Sequence, residues 1–109
     1  MATTLKVLGQ SNPSVTTPTT LYTVPSLTST VCSSIVVCNR SSVATSFRVA
    51  VRPGGATLSN EHYLYYDVTI AGNDTFVATI GISLSSTDVV TVYSTLDTLS
   101  FNLFGQENT

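Results

Sequence analysis

Residues 44–55 read ATSFRVAVRPGG, and the fold follows from how this stretch is read. Phe47, Val49 and Val51 fall on one parity; Ser46, Arg48 and Ala50 fall on the other. Period two over such a run predicts a β-strand with one buried face. Pro53, Gly54 and Gly55 then close the strand, since proline sets one φ and glycine permits a positive one.

The same grammar extends in both directions. Upstream lie TLKVLG (4–9), the turn QSNPS, the Thr/Pro-rich VTTPTT, TLYTV stopping at Pro25, and the long run TVCSSIVVCN (30–39) ended by NRSS. Downstream, HYLYYDVTI (62–70) ends at AGND. TFVATIGISL (75–84) puts Phe76, Ala78, Ile80, Ile82 and Leu84 on one face, and SSTD leads into VVTVYST and LSFNLFG. No stretch carries the 3.6-residue period of an amphipathic helix. About eight strands at roughly a dozen residues apart predict a single all-β domain, an antiparallel sandwich or a small barrel. Residues 1–19 are candidates for an arm leaving that domain, and GQENT (105–109) reads as an exposed end.

Composition narrows the function. The 109-residue chain is 42 % hydrophobic but only 9 % charged, against about 25 % in average chains. Ser and Thr make up nearly a third of it. A hydroxyl-rich, weakly charged surface suits a protein covered by neighbours better than a free monomer. With few Lys or Glu to guard the edges, strands such as SSIVVC need a closed barrel or covering subunits, and the low charge favours subunits. Four cations, Lys6, Arg40, Arg48 and Arg52, with a net charge of −2, are too few for nucleic acid. No apolar run is long enough to span a membrane. The start, MATTLKVLGQSNP, lacks the basic and apolar regions of a secretory signal.

Chemistry-bearing residues form no constellation. His62 is the sole histidine, and no Gly-x-Ser-x-Gly elbow accompanies it. Cys32 and Cys38 lie on one strand, roughly 20 Å apart at ~3.3 Å per residue, far beyond the ~7 Å a disulfide spans. Strict alternation puts both thiols on the same side as small apolar groups. Asp67, Asp74 and Asp88 read as turn and strand-end residues, and one short loop offers calcium too few oxygens. No enzyme activity, cofactor, metal or small-molecule substrate is expected.

The tyrosines carry what remains. Parity puts Tyr66 in the core with Leu64, Val68 and Ile70, and leaves Tyr63 and Tyr65 outside with Asp67 and Thr69. Arg48 and Arg52 also point outward. Tyrosine and arginine are the residues protein interfaces favour, so the candidate protein contacts are Tyr63, Tyr65, Arg48 and Arg52, with the N-terminal stretch from Leu5 and Val7 to Val15. The alternative is a carbohydrate- or receptor-binding platform built on Tyr63, Tyr65 and Asp67.

The succession TLYTVP, VCSSIVVCNRS, FRVAVRPGGA, HYLYYDVTI, NDTFVATIGISL, DVVTVYSTLDTLSFNLFG resembles small virion structural proteins of tailed bacteriophages, including those of cyanobacterial hosts. The likeness covers the chain from about residue 20 onward. It implies an immunoglobulin-like or jelly-roll-like sandwich that is assembled in the host cytoplasm with itself and other virion proteins. The tail, baseplate or fibre-attachment region is slightly favoured over capsid decoration. The resemblance supplies no catalytic residues.

Overall fold

The computed structural model describes residues 2–109. Eight strands form: β1 (Thr3–Ser11), β2 (Thr19–Thr23), β3 (Ser29–Asn39), β4 (Thr45–Arg52), β5 (Tyr63–Ile70), β6 (Thr75–Leu84), β7 (Val89–Ser94) and β8 (Leu99–Asn108). They make two four-stranded sheets of order β1-β8-β3-β6 and β2-β7-β4-β5, here called sheets A and B. Every pairing is antiparallel. β1 pairs with β8, β2 with β7, β3 with β6 and β4 with β5. The chain is thus one long hairpin ribbon, folded at β4–β5 and wound into two layers. That order is a jelly roll; an immunoglobulin sandwich distributes its strands differently. The two sheets remain separate, so the closed barrel is not formed.

The strand alternation places the core. Phe47, Val49, Ile35, Val37, Val90, Val92, Leu99, Phe101 and Leu103 are wholly buried between the sheets. Phe76, Ala78, Ile80 and Ile82 of β6 pack against them and Leu84 is buried, as the parity of TFVATIGISL predicts.

Alternation fails where bulges shift the phase. In sheet A the register slips between Val7 and Gly9 on β1, and between Cys32 and Ser34 on β3 against both of its neighbours. Gly81 of β6, across that slip in β3, supplies the positive φ of +56° that such a bulge uses. One inserted residue reverses the facing of everything beyond it. Cys32 therefore lies in the core and Cys38 faces outward, which corrects the expectation that both share one side. The Cys32 thiol is pushed up to about 11 by burial and behaves as an apolar group.

Both ends of the chain are strands. β1 pairs with β8 from Thr3↔Asn108 to Ser11↔Phe101, so Thr3–Ser11 is an edge strand of sheet A and not an arm. GQENT is no exposed end either: β8 runs between β1 and β3 as far as Asn108. The reason is polar. The Tyr22 hydroxyl on β2 donates to Glu107 Oε2 (2.6 Å), and Thr30 Oγ1 lies 2.8 Å from the same hydroxyl. Lys6 Nζ on β1 reaches Glu107 Oε1 at 3.3 Å. The donation from Tyr22 holds the Glu107 carboxyl below the ordinary carboxylate range against the opposing effect of burial, and Lys6 adds to it. Burial and the neighbouring carboxylate push the Tyr22 hydroxyl up. This bridge ties sheet B to sheet A.

A carboxyl that is more acidic folded than unfolded contributes stability above its unfolded pKa, lost as pH falls through the folded value. Glu107→Gln is expected to cost about 1–2 kcal/mol at neutral pH. The deficit relative to wild type should shrink as pH falls below about 4.3, the ordinary glutamate value. Urea unfolding of both chains across that range measures it.

Candidate functional site

The outer face of sheet B carries the densest group of interface-type side chains. Arg48 stands on β4, Tyr63, Tyr66 and Asp67 on β5, and Tyr93 on β7, with Arg48 and Tyr93 in direct register. The Arg48 guanidinium carbon lies 4.1 Å from the Tyr66 ring centre, 4.3 Å from that of Tyr93 and 6.0 Å from that of Tyr63. Tyr63 and Tyr66 meet edge to face at 4.8 Å. Arg48 Nε donates to Asp67 Oδ1 at 2.6 Å and Nη2 reaches Oδ2 at 3.4 Å, a two-pronged pair. The Asp67 carboxylate keeps this guanidinium even more firmly protonated than arginine ordinarily is. Four stacked and paired groups thus hold one cation in a fixed orientation on an open face.

Asp67 sets this geometry. Between Phe47↔Val68 and Val49↔Tyr65, β4 advances two residues while β5 advances three. The extra residue is a bulge, and Asp67 takes the left-handed φ of +51°. Aspartate tolerates that region because its short side chain bonds locally. A second slip follows between Tyr65 and Tyr63. The bulge corrects the parity reading of the tyrosines. Tyr65 turns inward against Phe47 and Phe76 at 6.4 and 5.4 Å. Tyr66 is 56 % exposed, and Leu64, expected in the core, is exposed too. Val68 and Ile70 stay inside.

The other candidates lie apart. Arg52 shares the outer face of sheet B, but its Nε donates to Thr91 Oγ1 (3.0 Å) and its Nη1 to the carbonyls of Gly55 and Ala56. It pins the turn after β4. Leu5 and Val7 stand on the far side of the molecule, on the outer face of sheet A. Beside the cluster, Asn60, Tyr63 and Tyr66 line an open depression of about 470 Å³.

Tyr66, Tyr93 and Asn60 are the residues that sequence reasoning missed here. The signal for Tyr93 is its parity with Thr91 in VVTVYST. For Tyr66 the signal is Asp67, a residue type that strands disfavour and that tolerates the left-handed backbone a bulge uses.

The remaining polar groups serve the loops. Asp88 accepts the N–H groups of Gly54 and Ser85, each at 2.9 Å, joining two turns at one end of the sandwich. Burial pulls its carboxyl up, but these donors outweigh it and leave the carboxyl below its ordinary value. His62 Nδ1 accepts the Ser59 N–H. Asn73, at φ +55°, forms the AGND turn and donates its N–H to the Ser41 carbonyl. Among the described residues no three His, Cys, Asp or Glu side chains gather within metal-binding reach.

No protein-family model, curated protein or solved structure matches this chain.

Two substitutions separate the backbone role of Asp67 from its charge. Asp67→Gly keeps the bulge and frees Arg48, whose side-chain Nε order should fall in 15N relaxation. Asp67→Val forces a β-branched residue into the left-handed region and should cost about 1–2 kcal/mol in urea unfolding.

Proposed function

We propose that this protein is a non-enzymatic structural subunit of a tailed-phage virion, which associates with itself and with other virion proteins. The tail, baseplate or fibre-attachment region is slightly favoured over capsid decoration. The observation that carries the reading is the Arg48–Tyr63–Tyr66–Tyr93 cluster. Tyrosine and arginine dominate the residues on which protein interfaces depend. Here they stand together on an outer face, Tyr66 exposed and Arg48, Tyr63 and Tyr93 half-buried beside it, ordered in advance by Asp67, so little side-chain freedom is left to lose on docking. The jelly-roll order adds support by analogy, because the same winding builds viral capsid domains. The resemblance of the sequence to small virion proteins points the same way.

A second reading has its own support. The depression lined by Asn60, Tyr63 and Tyr66 offers aromatic rings and one amide, the elements of a carbohydrate site, and jelly rolls also serve as lectin domains.

One pair of variants separates the two. In the encoding phage, Tyr66→Ala and Arg48→Ala should each weaken docking by about 2 kcal/mol, roughly 30-fold. Quantitative mass spectrometry of purified particles reads this as lost incorporation. Unchanged incorporation of both variants sinks the first reading. Glycan-array binding by the wild-type protein that Tyr66→Ala abolishes, with incorporation intact, establishes the second.

A further inference from the structure

The opposite side of the molecule has a different chemistry. The outer face of sheet A presents Leu5 and Val7 from β1, Phe104 from β8, Val31 and Val36 from β3, and Val77 from β6. Leu5 is 78 % exposed, Val77 62 % and Val7 46 %. The register joins them into a band: Val7 pairs with Phe104, and Val36 pairs with Val77. Leu5 and Val31 flank Gln106 on its two sides.

Among the described residues no charged side chain lies on this face. Lys6 has the opposite parity and reaches Glu107 at the inner side of the sheet. Arg40, Asp74, Asp88 and Asp97 sit in the connections between strands. Arg48, Arg52 and Asp67 belong to sheet B, and Glu61 to the turn before β5. The polar residues that remain are amides and hydroxyls, among them Gln10, Asn102 and Gln106. Gln10 Nε2 donates to Asn102 Oδ1 at 2.7 Å.

We infer that this face is the surface through which two copies of the chain pair about a two-fold axis. The inference rests on the assembly reading above only in taking the chain to associate with itself. Three observations commit it to a second copy. First, a two-fold contact presses a surface against itself, so any charge near the axis meets its like. A face with no charge has no such conflict, whereas a charged partner would leave its own charges unpaired. Second, amides and hydroxyls both donate and accept, so they can pair with their own copies. Third, the area suffices. Four strands about 4.8 Å apart and ten residues long at ~3.3 Å per residue cover roughly 600 Å² before side-chain relief is counted. Two such faces approach the ~1,200–2,000 Å² of a specific interface. A shallow hollow of about 170 Å³ between Leu5, Val31, Ser33 and Gln106 offers room for a side chain of the facing copy. The charged, tyrosine-rich face of sheet B is then left for a different partner.

Sedimentation equilibrium of the purified chain tests this without any virion component. The wild type is expected to be dimeric at micromolar concentration. Val77→Lys, and Leu5→Lys on a different strand, should each weaken the dimer by ~100-fold or more, because symmetry buries two unpaired charges. Both positions already face solvent in the single subunit, and the urea midpoint checks that each variant folds. Tyr66→Ala on the opposite face should leave the dimer intact. A wild-type chain that stays monomeric, or a dimer that both lysine variants leave unchanged, overturns the inference. Either result leaves the function proposed above to stand or fall on particle incorporation.

Discussion

Phe47 is the contact on which the rest of this structure turns. It is wholly buried and meets Phe101 at 6.0 Å, Phe76 at 5.2 Å and Tyr65 at 6.4 Å. Phe101 and Phe76 come from sheet A, Phe47 and Tyr65 from sheet B, so this cluster is where the two layers lock. Tilted and edge-to-face rings add to the burial of large apolar area. Completing the cluster requires Tyr65 to face inward, and the bulge at Asp67 makes that turn. The same bulge sends Tyr66 outward to stack on Arg48, and Asp67 itself binds the guanidinium. The aromatic core and the aromatic surface are two sides of one backbone irregularity.

The tie of Tyr22 to Glu107 does a corresponding task nearer the chain ends. Three strands from two sheets converge on one carboxylate, which accepts from a hydroxyl and an ammonium. A lone carboxylate between two sheets would be costly, whereas one with directed donors is stable there. The tie also keeps β8 in its central place in sheet A through to its last residues. Without β8, β1 would have no neighbour in the sheet, and the face bearing Leu5 and Val7 would not exist. The two outer faces then differ by construction. One carries a fixed cation among tyrosines, and the other carries aliphatic side chains and neutral polar groups. On the function proposed above, two unlike faces would let one subunit join two different kinds of neighbour.

Much of this was readable from residue order. The eight strands, their turns at NRSS, RPGG, AGND and SSTD, and the inward residues of β4 and β6 follow from period-two alternation and turn chemistry. The outward position of Arg48 follows in the same way. Parity alone puts Tyr65, Tyr66 and Leu64 on the wrong faces, and Cys32 and Cys38 on one side, for a single reason. Each lies on a strand whose phase a bulge shifts, and counting parity across a bulge inverts every residue beyond it.

The sequence by itself determined that the chain is all-β, because alternating apolar and polar residues bury one face only when the backbone is extended. Its low charge and its tyrosines and arginines set the kinds of surface it could present. Strand order, and so the jelly roll in place of other sandwiches, was decided only in three dimensions. Pairing joins residues up to about a hundred positions apart, such as Thr3 with Asn108, and no local pattern encodes which strands meet. The site was settled at the same level. Asp67 could turn the strand, but only the space beside Phe47 made Tyr65 the residue that went in and Tyr66 the one that came out.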